Sequence, residues 1–102
     1  MSIKKHYVKS TGKTKCTFRL PKQAAPNASE VYIVGDFNEW DPKATPMTKL
    51  KTGEFKVELE LESGQDYQFR YCIDGEQWEN DWEADNYVPA KSLPVENSVV
   101  AV

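Results

Sequence analysis

EFKVELELESGQDYQFRYCIDG, residues 54–75, decides the fold class. Over residues 54–62, Phe55, Val57, Leu59 and Leu61 alternate with Glu54, Lys56, Glu58, Glu60 and Glu62. A period of two puts one set on each face of an extended chain, so the segment predicts a strand with one buried face. Tyr67, Phe69, Tyr71 and Ile73 repeat the pattern, with Gln68, Arg70 and Cys72 opposite. Ser63-Gly64 between the two runs reads as a hairpin turn. Asp74-Gly75 is the stronger hairpin signal, because both residue types tolerate positive φ.

The same period extends outward. Cys16, Phe18 and Leu20 share one face over residues 14–20, and Val31-Tyr32-Ile33-Val34 is a short apolar run suited to a buried strand. Residues 98–102 close the chain with a last apolar strand, Gly53 marks a turn, and residues 21–29 form an Ala/Pro/Asn loop with room for one helical turn. All six prolines fall outside these strands, since proline cannot donate to a ladder. No ten-residue stretch has helical periodicity. Several short strands between turns predict an all-β, immunoglobulin-like (early-set) antiparallel β-sandwich. The Cys…Trp…Cys spacing of antibody domains is missing. A chain of 102 residues holds one domain, taken as residues 14–102 after an N-terminal arm over 1–13, ordered or flexible.

Composition narrows the function classes. The net charge is -3, which opposes phosphate attraction and argues against nucleic-acid binding. Seven of the 13 basic residues lie in residues 1–29, and all 16 acidic residues follow. That asymmetry predicts a basic strand paired with acidic strands. No run approaches a membrane span. The N-terminus has no apolar run after its charges, so no secretory signal is expected and the cytoplasm is the expected compartment. Cys16 and Cys72 fit no metal spacing and are expected as free thiols. Asp81-x-Glu83-x-Asp85 opens like a calcium loop. However, Asn86 stands where glycine is required and Ser92 where the closing Glu belongs, so no metal is expected. No cofactor is implied.

Two long irregular segments, residues 36–47 and 80–94, carry or flank the three tryptophans. Trp40, Trp78 and Trp82 have mostly polar or acidic neighbours and lie outside the core-building alternation. Indoles on a rigid scaffold offer apolar faces on which sugar rings can lie. Arg70, Gln68 and Asn97 are placed to serve hydroxyls at the ring edge. For Trp82, packing against the proline and tyrosine of its own loop is the expectation. Asp36, Asp41, Asp74, Glu76, Glu79, Asp81, Glu83 and Asp85 read as solvated loop acids, because a glycosidase needs two carboxyls facing across a cleft.

The run Val31-Tyr32-Ile33-Val34-Gly35-Asp36-Phe37-Asn38-Glu39-Trp40 resembles a glycogen-binding carbohydrate-binding module. Modules of this type occur in AMP-activated protein kinase β subunits and at the N-terminus of isoamylases and branching enzymes. The resemblance continues through Gly53-Glu54-Phe55, through residues 67–75, and to Glu96-Asn97-Ser98-Val99-Val100. It implies a non-catalytic module that binds an α-glucan of the glycogen or starch type. By that resemblance Trp40 and Trp78 stack on glucose, Arg70 (usually Lys in the kinase subunits) and Asn97 bond hydroxyls, and Leu93 packs against the glucan. Three departures stand out: Val95 replaces a sugar-binding threonine, one residue is added between Gly75 and Trp78, and Trp82 follows Asp81 where the kinase subunits have proline. The alternative implied is a protein-interaction or regulatory domain that serves a glycogen-metabolising enzyme or glycoside hydrolase with little sugar binding. In either case the partners are α-glucan or such an enzyme, with no nucleic acid and no membrane.

Overall fold

The computed structural model describes residues 3–90 and 95–102. Two antiparallel sheets pack face to face. The first has the order β1 (Ile3–Val8), β2 (Lys13–Leu20), β5 (Phe55–Glu62), β4 (Thr48–Lys49). The second runs β3 (Val31–Gly35), β6 (Asp66–Ile73), β9 (Glu96–Ala101), β8 (Asn86–Pro89), with β7 (Gln77–Glu79) also on β6. The all-β sandwich expected from the alternation is what forms.

The inward residues are those the period of two singled out. Cys16, Phe18, Leu20, Phe55 and Leu61 from the first sheet meet Val31, Ile33, Phe69, Tyr71, Ile73 and Val100 from the second. Phe18 and Phe69 touch edge to face at 5.1 Å, and Phe69 and Tyr71 at 5.7 Å. Each such side chain contributes about 1.5–3 kcal/mol through burial. Register sets Lys13 opposite Glu62 and Lys15 opposite Glu60, so basic β2 does lie against acidic β5. No helix among the described residues is long and apolar enough to cross a membrane.

Several elements differ from the sequence expectation. Residues 3–8, read as part of an arm, form β1, paired with β2 from Ile3↔Phe18 to Val8↔Lys13. Only Ile3 of that strand is buried, so backbone pairing at an edge holds it and no hydrophobic alternation announces it. Ser63-Gly64 is not a hairpin. β5 and β6 lie in different sheets, and the turn crosses the sandwich, with Gly64 N–H donating to the Val102 carbonyl at 2.7 Å. Asp74-Gly75 does close a hairpin, β6–β7. Both residues have positive φ (52° and 72°), and Glu76 N–H donates to the Ile73 carbonyl, as a type I′ turn requires. Pro89 ends β8, the edge strand of its sheet, a position that strand proline tolerates.

Candidate functional site

The site forms on the outer face of the second sheet, where Gln68, Arg70 and Cys72 point away from the core. Its first wall is the turn after β3. Gly35 is required there, because a Cβ would lie 2.5 Å from the Gln68 carbonyl oxygen and 2.7 Å from the Phe69 Cβ. Phe37 turns inward against Phe18, Tyr67 and Phe69. Asn38 clamps the turn. Its Oδ1 accepts from Gly35 N–H, and its Nδ2 donates to the Ile33 carbonyl and Thr45 Oγ1, each at 3.0 Å.

That clamp allows an unusual backbone. Glu39 and Trp40 both have φ of 58°, in the left-handed region, which costs roughly 1–2 kcal/mol per non-glycine residue. Such conformations persist where surrounding bonds over-determine them, commonly at functional sites. Trp40 N–H donates to the Gly35 carbonyl at 2.9 Å, and the indole Nε1–H donates to Asp36 Oδ1 at 2.8 Å. The other Asp36 oxygen, Oδ2, accepts from Gln68 N–H at 2.8 Å. Asp36 therefore ties the Trp40 ring to the neighbouring strand.

The second wall is Trp78 on β7, directly across from Cys72 in register and 44% exposed. Between the indoles lies Arg70. Its guanidinium carbon is 5.9 Å from the Trp40 ring centroid and 5.0 Å from that of Trp78, within reach of a cation–π contact with each. The floor is completed by Asn97, whose Nδ2 donates to Gln68 Oε1 at 3.0 Å. Asp36, Trp40, Gln68, Arg70 and Asn97, with Pro89 and Ala90, line an open cavity of about 580 Å³. Trp78 borders a smaller one of about 210 Å³ with Tyr32, Pro42 and Cys72. Two buried polar atoms of the large cavity's lining residues, Arg70 Nε and Asn97 Oδ1, have no hydrogen-bond partner among the described residues.

Of the five site residues expected from sequence, Trp40, Arg70 and Trp78 come together, and Asn97 lies beside Arg70 in the cavity wall. Leu93 lies outside the described residues. Trp82 is corrected: it is 54% exposed, not packed into its loop. The reading of the loop carboxylates as solvated is corrected at Asp81, while Asp36 and Asp74 are exposed as expected and also accept hydrogen bonds. Asp36 holds Trp40. Asp74 accepts from Ser29 N–H and Glu30 N–H, both at 2.9 Å. Asp81 is buried and accepts from the Tyr71 hydroxyl at 2.6 Å. Burial, then the Asp81 charge and hydrogen bond, push the Tyr71 phenol well above its ordinary value. For Asp36 the available signal was its place four residues before Trp40. Cys16 and Cys72 are free and buried.

Residues 7–88 match the family model of carbohydrate-binding module 48, the isoamylase N-terminal domain. The chain belongs to this family. It is 46% identical over 43 residues to a 1,4-alpha-glucan-branching enzyme of Emericella nidulans, covering 42% of the chain and 6% of the enzyme. It is 37% identical over 67 residues to the branching enzyme of Aquifex aeolicus, covering 63% of the chain and 10% of the enzyme. A branching enzyme of Lactobacillus acidophilus is 44% identical over 54 residues, covering 52% and 8%. The chain thus spans a tenth or less of the length of these relatives. The module 48 fold displays its paired indoles, Arg70 and Asn97 on a single outer face.

Proposed function

We propose that this module binds an α-glucan without transforming it, stacking glucose rings on Trp40 and Trp78 while Arg70 and Asn97 bond the hydroxyls. The observation that carries this reading is the Arg70 guanidinium set between the Trp40 and Trp78 indoles, beside a cavity that Gln68 and Asn97 also line. The apolar C–H faces of a pyranose lie on an indole, and its edge both donates and accepts hydrogen bonds. The α-1,4 linkage is suggested by the relatives' names, 1,4-alpha-glucan branching enzymes. The partner enzyme proposed for the module is of that kind.

A few stacked rings and hydroxyl bonds correspond to a Kd on the order of micromolar to millimolar. The ligand is neutral, so binding should change little between low and high salt. Calorimetry with maltoheptaose on the native chain, Trp40→Ala and Trp78→Ala tests the reading. Loss of binding in both variants, with melting curves near that of the parent, supports it. Folded variants that bind as well as the parent refute the site.

A further inference from the structure

The outer face of the first sheet, on the side of the sandwich away from the indoles, carries a charge pattern of its own. Register pairs its outward residues across β2 and β5: Lys13 with Glu62, Lys15 with Glu60, Thr17 with Glu58, and Arg19 with Lys56. A base faces an acid on the first two rungs, but two cations face each other on the last. Like charges directly opposite are destabilising. On the other side of β2, Lys4 of β1 sits opposite Thr17, so a third cation flanks the same end of the sheet. Lys4, Thr17, Arg19, Lys56 and Glu58 line an open hollow of about 220 Å³. Arg19 lies down on the sheet, with its Nε buried. Among the described residues, ion pairs join Lys5 to Asp85 and Lys13 to Glu62, and none involves the three cations of the hollow.

We propose that this hollow is an anion site that takes a phosphate group, free or carried on a small sugar. Three cations set against the single carboxylate of Glu58 leave an excess of two positive charges, and a phosphate group carries about −1.5 to −2 at pH 7. Its oxygens accept several bonds at once. The guanidinium fork of Arg19 can take two of them, and the lysine ammonium groups act on the rest as point charges. The Thr17 hydroxyl makes only a long bond to Glu58 Oε2, at 3.5 Å, and can turn to the anion instead. A bounded hollow suits a compact dianion better than an extended acidic chain. Bound phosphate also relieves the repulsion between Arg19 and Lys56. The net charge of -3 opposes the approach of any anion, so the affinity belongs on the order of millimolar. The proposal does not rest on the α-glucan reading, whose residues lie on the other sheet.

The test is an NMR titration of the whole chain, following backbone amides, with inorganic phosphate, glucose 6-phosphate and glucose at fixed ionic strength. Phosphate should give saturable shifts centred on Thr17, Arg19 and Lys56, with a Kd on the order of millimolar, and glucose at the same concentration should leave those amides in place. Added potassium chloride should weaken binding. Arg19→Gln and Lys56→Gln should each weaken it about three- to tenfold, and Glu58→Gln should tighten it about threefold. Lys9→Gln, outside the hollow, should match the parent. The variants should stay folded, since removing one cation of a like-charged rung costs little.

Equal affinity for the two phosphates assigns the hollow to the free ion, and tighter glucose 6-phosphate assigns it to a phosphorylated sugar; either supports the site. Shifts that grow linearly without saturating, or that persist unchanged in Arg19→Gln and Lys56→Gln, overturn it. So does a hexaglutamate peptide that binds this face more tightly than either phosphate, which would make it a docking face for an acidic protein. Maltoheptaose titrated alongside reports on the opposite face, and its failure to bind counts against the α-glucan reading alone.

Discussion

Gly35→Ala isolates the contact that seats the Trp40 turn. The Gly35 φ is −170°, ordinary extended backbone, so a methyl group adds no left-handed strain. What it adds is collision: 2.5 Å to the Gln68 carbonyl oxygen, 2.7 Å to Phe69 Cβ and 3.0 Å to Phe69 Cα, all inside the ~3.5–4.0 Å optimum for non-bonded atoms. Most of these atoms are backbone of β6, the strand paired with both β3 and β9, and none is the end of a flexible side chain. Overpacking typically costs about 1–3 kcal/mol, and a collision with backbone belongs at the top of that range. At about 4–8 °C per kcal/mol for a domain this size, Tm should fall by roughly 12–24 °C. Urea unfolding followed by far-ultraviolet circular dichroism gives the loss directly, provided the m value is unchanged. Gly64→Ala serves as control, with open space around it but φ of 82°, and should cost about 1–2 kcal/mol from strain alone. A loss below about 1 kcal/mol for Gly35→Ala would refute the seating described here.

Three other outcomes follow from the bonding. Asp36→Ala removes the acceptor of both Trp40 Nε1–H and Gln68 N–H; it should cost about 1–3 kcal/mol, and unchanged tryptophan anisotropy would contradict the role of Asp36. Tyr71 has its phenol raised in the folded state, so its contribution is complete below the unfolded value of about 10 and is lost as pH rises beyond it. Tyr71→Phe should be less stable at neutral pH and lose less on going to alkaline pH, measured by urea midpoints across pH 7–11. For Asp85, burial raises the carboxyl, but the Lys5 hydrogen bond, the Ala101 N–H and the Lys5 charge outweigh it, leaving it lowered. That contribution is present above the unfolded value near 3.8 and lost as pH falls through the folded one. Lys5→Ala should cost under about 1 kcal/mol and flatten the acid limb of the stability profile.

Strands β2, β3, β5 and β6 were legible because each buries one face or both, and burial imposes a period. β1 was not, since one inward residue makes no pattern, and neither were β4, β7 and β8, which are two to four residues long. Ser63-Gly64 was misread because turn chemistry reports a reversal but not which sheet the chain enters next. Trp40, Trp78, Arg70 and Asn97 were legible through the resemblance to the module family. The contributions of Asp36 and Gln68 were not, because their bonds join residues 32 and 29 positions apart and depend on the register of β3, β6 and β9.

The measurement closest to the central claim is a titration of intrinsic tryptophan fluorescence with maltoheptaose, using cellohexaose as control. A saturable change with the α-linked sugar alone, absent in Trp40→Ala and Trp78→Ala, is the expected result. No change up to millimolar sugar, or an equal response to both sugars, would contradict α-glucan binding on this face.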